Sequence, residues 1–144
     1  MRKVIFDLDR TLWRCTVEYH PRLKMPRPFS GTDQMLQSLT PLADLSIASR
    51  SCQPEKCRTF LNQLFPTISF SSIEIYPTIL SKVSHVLSIV DGNTSDDFLF
   101  IDDEPQILRV LDRTFPRCVT ILRDPSLSCD ELFHTILPYL DPKN

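Results

Sequence analysis

A parallel β-sheet with helices on both faces is the fold class this sequence predicts, and three observations predict it. Short apolar, β-rich runs recur along the chain; amphipathic stretches long enough for helices alternate with them; and turn residues separate the two kinds. Such alternation favours an α/β architecture, because each crossover helix returns the chain to lay the next strand parallel to the last. The runs are "KVIF" (3–6), "LSIAS" (45–49), "ISFSSIEIY" (68–76), "FLFI" (98–101) and "VTIL" (119–122). Helices are predicted over 54–65, 79–90, 104–115 and 129–140 from the spacing of their apolar residues. Pro54 and Pro105 stand where a first helical turn begins, a position at which the missing N–H costs nothing. "SCDE" (128–131) reads as a capping box opening the last helix.

Composition bounds the function. At 144 residues and 42% hydrophobic content the chain fits one globular domain, spanning 1–144, with a sizeable core. A net charge of −2 implies no general polyanion-binding field. No apolar stretch reaches the roughly 18 residues of a membrane span, and the basic start "MRK" leads into a strand rather than a leader, so no membrane partner is expected. Five cysteines (Cys15, Cys52, Cys57, Cys118, Cys129) with no CxxC pair point to reduced thiols and a cytoplasmic setting. With Gly31 and Gly92 the only glycines, the glycine-rich phosphate loops are excluded.

The chemistry collects where strands end. In parallel sheets ligands bind beyond the carboxyl ends of the strands. The first strand releases Asp7, Asp9 and Thr11, and the second releases Ser49 and Arg50. The run 68–76 leads to Lys82 at a helix start, and the fourth strand releases Asp102 and Asp103. Residues two apart on extended backbone face the same way, so Asp7 and Asp9 repel unless a cation or a proton separates them. Acids with open positions suit Mg²⁺, which prefers oxygen ligands and shares itself with a substrate phosphate. His20, His85 and His134 are scattered without the spacing of a soft-metal site. The bland alternatives are a surface turn for the aspartate pair, a strand-end cap for Ser49, a solvated lysine, and an N-cap role for Asp102 or Asp103. Trp13 reads as packing; its place at the root of the following loop also makes it a candidate wall of the pocket.

That loop, 14–31, "RCTVEYHPRLKMPRPFSG", carries three prolines and no period. It follows the first strand's carboxyl end and is expected to act as a flap over the site. From Arg10 to Pro28 it holds five basic residues (Arg10, Arg14, Arg22, Lys24, Arg27) against one acid, Glu18. The plain account is a solvated loop; the functional one is attraction of substrates with negative charge beyond a phosphate, such as an acidic peptide or a nucleic-acid terminus.

An apolar run with DxDxT, a strand ending in serine, a lysine, and an apolar run with DD together resemble the four motifs of the haloacid dehalogenase superfamily. Within it, "FDLDRTLW", "ASRS", "EIYP…SKVSH" and "FIDDE" look most like the small magnesium-dependent phosphatases. The resemblance covers about residues 1–124. It implies a Rossmann-like, three-layer α/β/α domain with a short flap and no separate cap, acting as a Mg²⁺-dependent phosphomonoesterase. Carried over, it makes Asp7 the nucleophile and Asp9 the general acid and base. Mg²⁺ would be held by the Asp7 carboxylate, the Asp9 backbone carbonyl and Asp103. Ser49, Arg50, Thr11 and Arg10 would contact the phosphoryl group or substrate. Lys82 would offset the crowded negative charge, oriented by Asp102 from behind. The implied partner is a phosphorylated protein or small molecule, or a nucleic-acid end. Arg10 departs from the uncharged, often aromatic residue usual there, and "YPTILSK" places Lys82 two residues later than usual.

Two other readings compete. "CQPEKCRT" (52–59) satisfies the C-x5-R-[ST] pattern of cysteine phosphatases, which would make Cys52 the nucleophile and Arg58 the phosphate ligand. Its loop has no glycine, and Pro54 removes a backbone donor from any phosphate nest. The other is a non-catalytic phospho-ligand module, against which the presence of Asp9 argues.

Overall fold

The computed structural model describes residues 3–79, 81–93 and 96–140. Met1 and Arg2 of the basic start, and Leu80 within the predicted 79–90 helix, lie outside them. Five strands, β1 (Lys3–Phe6), β2 (Asp44–Ser49), β3 (Ser72–Ile75), β4 (Phe98–Asp102) and β5 (Cys118–Leu122), form one sheet in the order β3-β2-β1-β4-β5. Every neighbouring pair is parallel. The helices are α1 (Thr32–Leu39), α2 (Pro54–Leu64), α3 (Val83–Ile89), α4 (Pro105–Thr114) and α5 (Cys129–Leu140), with a 3-10 turn at Val17–Tyr19.

Strand alternation explains the layering. Val4 and Phe6, with Leu45, Ile47, Leu99 and Ile101, enter one core, packed by α1, α2 and α5. Ile5, Ala48, Phe98 and Phe100 enter the other, packed by α3 and α4. Two covered faces account for the near-continuous apolar character of β1 and β4, each of whose fully buried side chains contributes roughly 1.5–3 kcal/mol. The result is the three-layer α/β/α arrangement.

Several boundaries differ from the sequence expectation. No element was predicted between 31 and 44, yet α1 forms there, after Gly31 turns the chain at φ +85° and buries Met35, Leu36 and Leu39. The third run shortens to 72–75, because Ile68 and Phe70 pack on the core from irregular backbone. α3 begins at Val83, because the hydroxyl of Thr78 donates to the Ser81 carbonyl in a turn and Lys82 takes the N-cap position. The capping box forms: the Glu131 N–H donates to Ser128 Oγ at 3.0 Å, and the Ser128 N–H to Glu131 Oε1 at 3.3 Å. Pro54 and Pro105 open α2 and α4.

β1 lies between β2 and β4, where the chain's progress across the sheet reverses. A crevice opens at such a reversal, beyond the carboxyl ends of the two strands. Asp7 and Asp9 leave β1 there, and Asp103 leaves β4 beside them.

Candidate active site

Continuing the alternation, Asp7 follows Ile5 and Asp102 follows Phe100 toward the α3/α4 side of the sheet. Lys82, at the α3 N-cap, meets both: its Nζ donates to Asp7 Oδ1 at 2.5 Å and to Asp102 Oδ2 at 2.7 Å. All three are buried, and Lys82 Nζ also lies 5.7 Å from the centre of the Phe100 ring. The remaining oxygens are spoken for. Thr11 Oγ1 donates to Asp7 Oδ2 at 3.0 Å, and the Glu104 N–H donates to Asp102 Oδ1 at 3.0 Å. Asp102 thus orients Lys82 and shapes the turn into α4.

Asp9 is held differently. Trp13 Nε1 donates to Asp9 Oδ1 at 2.7 Å, and the Val17 N–H donates to the same oxygen at 3.2 Å. Trp13 is itself fully buried, edge-on to Phe60 at 6.2 Å, so the indole that holds the carboxylate is fixed by the core. Asp9 and Lys82 line a cleft of about 430 Å³ together with Asp7, Arg10, Arg50 and Asp103. Thr16, Glu18 and Tyr19 of the following loop also line it. Arg50 donates to Glu104 at 3.3 Å across the rim. Arg10 sits at φ +62°, a left-handed conformation that L-residues adopt at a cost of about 1–2 kcal/mol, and its Nε lies 3.8 Å from Asp103.

Charge is crowded here. Burial, then the neighbouring charge of Asp102, raises the Asp7 carboxyl well above its ordinary range despite the contact with Lys82. Burial raises Asp9 as well, against the hydrogen bonds from Trp13 and Val17. Asp103 is pushed up to about 6, by burial first and Asp102 second. Burial by itself would lower the Lys82 pKa; Asp7 and Asp102 outweigh it and hold the ammonium above its ordinary value. One buried lysine thus meets Asp7 and Asp102, and among the described residues Asp103 has only the exposed Arg10 at 3.8 Å, so carboxylates outnumber buried cations here.

The donor set fits a hard divalent cation. Carboxylate oxygens of Asp7, Asp102 and Asp103 gather within 4.8 Å of one another. Oxygen-only donors suit Mg²⁺, and the raised pKa values of Asp7 and Asp103 mark a shortage of positive charge around them. Asp102 is fully buried beneath the cleft, whereas Asp7 and Asp103 line it.

A stability prediction follows from the sign of these shifts. A carboxyl whose pKa is higher folded than unfolded favours folding when protonated, and loses that contribution as pH rises. For Asp103 the window runs from 3.8 to about 6; the shifts of Asp7 and Asp9 act in the same direction. Thermal melts in chelator should show Tm falling across that window, and added Mg²⁺ should flatten the fall. A chelated protein whose Tm rises steadily from pH 4 to 6 would contradict this charge assignment.

No protein-family model and no curated protein matches the sequence. Solved structures do resemble the fold. A haloacid dehalogenase (HAD) superfamily hydrolase from Ehrlichia chaffeensis aligns with a TM-score of 0.71 at 16% identity, over 98% of this chain and 100% of that one. The HAD domain of the effector Lem4 from Legionella pneumophila gives 0.64 at 16% identity, over 97% and 95%. The N-terminal part of a Bacteroides fragilis protein, containing a phosphatase domain and complexed with Mg, gives 0.68 at 14% identity, over 97% of this chain and 40% of that one. The fold is that of the haloacid dehalogenase superfamily.

Within this haloacid dehalogenase fold, the predicted residues divide into two groups. Asp7, Asp9, Arg10, Arg50, Lys82 and Asp103 line the one cleft. Thr11, Ser49 and Asp102 are buried beneath it, Thr11 and Asp102 through the hydrogen bonds already given. Ser49 ends β2 but does not line the cleft; the lining passes to Arg50. Asp9 stands apart from the carboxylate cluster, because Trp13 and Val17 turn its side chain toward the loop.

Cys52 and Arg58 are not arranged as a nucleophile and its phosphate ligand. Arg58 lies within α2 and donates to the Ile73 carbonyl at 3.0 Å, bracing β3. Cys52 lines the rim of the cleft, but Glu18 raises its thiol pKa, the reverse of what a thiolate nucleophile needs. All five cysteines are free.

Sequence reasoning missed Arg123. It is fully buried at the end of β5, where its Nε donates to the Thr11 carbonyl at 3.2 Å and its Nη1 to the carbonyls of Asp124 and Leu127. It thereby clamps the turn that carries Asp7 and Asp9. A lone arginine after a strand carries no motif; only the sheet order brings it to the turn. Among the described residues, no helix is long and apolar enough to cross a membrane.

Proposed function

We propose that this protein is a Mg²⁺-dependent phosphomonoesterase that works through an aspartyl-phosphate on Asp7. The observation that carries the reading is the Asp7–Lys82–Asp102 arrangement at the switch point of the sheet, with Asp9 and Asp103 lining the same cleft. An Asp7 carboxylate oxygen attacks phosphorus in line, forming the P–O bond to Asp7 as the ester P–O bond breaks. Asp9 donates its proton to the leaving oxygen. Burial raises its pKa, in the direction of the protonated form that this transfer needs. Water then attacks the phosphorus of the aspartyl-phosphate, Asp9 takes the water's proton, and inorganic phosphate departs to restore the Asp7 carboxylate.

Lys82 opposes the burial that favours protonated Asp7 and aims its carboxylate, Asp102 holds Lys82, and Thr11 fixes the second oxygen of Asp7. Arg50 and Arg10 face the cleft, where their guanidinium forks suit phosphate oxygens. When bound, Mg²⁺ supplies positive charge for the phosphoryl oxygens; Asp7, Asp103 and the Asp9 backbone carbonyl are the ligands proposed for it. Residues 14–31 act as a flap, with Glu18 and Tyr19 on the cleft wall. The cleft is open, so the phosphate is what the catalytic centre reads, whether it is carried by a protein, a sugar or a nucleic-acid end.

A phosphate-release assay on an aryl phosphate tests the reading. Turnover should require Mg²⁺ and vanish in chelator, while Cys52→Ser should keep activity within about twofold. Activity that survives chelation and is lost in Cys52→Ser would overturn it in favour of thiol chemistry.

A further inference from the structure

A second, smaller cleft of about 180 Å³ adjoins the first, lined by Arg10, Arg14, Phe29, Asp103, Arg123 and Pro125. Arg10 and Asp103 line both clefts, so the two meet across that pair. Three guanidinium groups thus border the smaller cleft against one carboxylate, and that carboxylate is also a candidate cation ligand. The guanidinium carbons of Arg14 and Arg123 lie 4.7 and 4.1 Å from the centre of the Phe29 ring. That ring faces cations and holds both in place, which leaves it poorly suited to stacking a nucleobase.

The positive charge lacks an anion. Arg123 is 1% exposed, and its hydrogen-bond partners are three backbone carbonyls and the Cys129 sulfur, with no carboxylate among them. Arg14 forms no ion pair among the described residues, and its backbone is pinned by a 2.8 Å hydrogen bond from its N–H to the Arg27 carbonyl. A buried guanidinium without a carboxylate is costly unless something negative arrives. Burial, with the charge of Arg14 adding to it, pushes the Arg123 pKa below its ordinary value, although Cys129, second in size only to burial, and Asp124 oppose the shift.

We propose that this cleft is a second anion subsite, which takes a second phosphoryl group of a small substrate whose first phosphate is attacked by Asp7. The proposal rests on the phosphatase reading above and adds the substrate class: small molecules bearing two phosphates. The fork of Arg14, with the charge of buried Arg123 behind it, suits a doubly charged phosphoryl group better than a single carboxylate. The small volume holds one such group and little else.

Alkanediol bisphosphates of two to six carbons, with the matching monophosphates as controls, supply the probes. Binding to the Asp7→Asn variant is measured by calorimetry, and kcat/KM on the parent by phosphate release. At one chain length the bisphosphate should bind, and react, at least tenfold better than its monophosphate. Arg14→Ala should cut that bisphosphate advantage to about twofold or less. An advantage that is absent at every length, or that survives Arg14→Ala, overturns the subsite. So does a 5′-phosphorylated dinucleotide preferred over every bisphosphate, which would make the ligand a nucleic-acid end. Failure of the parent to hydrolyse any of the monophosphates would instead sink the phosphatase reading. Calorimetry on Asp7→Asn still decides the subsite in that case.

Discussion

Asp7→Asn is expected to abolish phosphate release, by about 10⁴-fold or more, while the protein stays folded. The amide keeps the shape of the side chain: its oxygen can accept from Lys82, and its NH2 can donate to a reoriented Thr11 hydroxyl. It also removes one of three crowded negative charges. In chelator at neutral pH the variant should therefore melt at or above the parent's temperature. Acid-quenched parent incubated with substrate should carry a hydroxylamine-labile phosphate, and the variant none. Residual turnover above one per cent, with an unchanged metal requirement, would remove Asp7 from the role of nucleophile.

Lys82→Met should have the largest effect on stability. The lysine is buried and, among the described residues, is the one cation in contact with both Asp7 and Asp102. Removing one partner of a buried ion pair leaves an uncompensated charge, at a cost of about 3–5 kcal/mol. The loss should be greatest near pH 7 and shrink toward pH 4, because protonated carboxyls no longer need the ammonium. Adding Asp102→Asn to Lys82→Met should restore part of the stability at pH 7, a coupling that a double-mutant cycle measures directly. Additive losses would mean that the two side chains do not depend on each other, contrary to their 2.7 Å contact.

Much of this site was legible in the chain because its parts follow strands. An apolar run that stops at an aspartate announces both the end of a strand and the direction of what comes next. That made Asp7, Asp102 and Asp103 readable from local pattern. Lys82 was legible only through its place before a helix, and the helix begins later than the apolar spacing suggests. α1 escaped notice because two turns of "TDQMLQSL" bury only three large apolar side chains, too few for a period to stand out. Ser49 illustrates a different limit. A strand-end position says that a residue is near the cleft, but whether it or its neighbour lines the wall depends on the local turn of the backbone. Trp13 was read as packing, and it is; that the same ring also holds Asp9 depends on which edge the core leaves uncovered. Arg123 and Phe29 lie beyond pattern altogether, since 94 residues separate two side chains that meet only once β5 is in place.

The clamp from Arg123 to the Thr11 carbonyl also has a bearing on how the protein is made. The DxDxT turn is synthesised well ahead of its hydrogen-bonded partners, which lie 75 residues later at Lys82 and 112 residues later at Arg123. β1, at the centre of the sheet, can pair early with β2 but must await β4 for its other edge. At a synthesis rate of about 5–20 residues per second, that interval lasts on the order of 5–20 s. Throughout it the nascent chain presents an apolar strand with one edge unpaired, the kind of edge that recruits other chains. The turn is thus written long before the residues that complete it. A ribosome stalled before β5 would display the acids in a chain that cannot yet hold them, dependent on chaperones rather than on its own core.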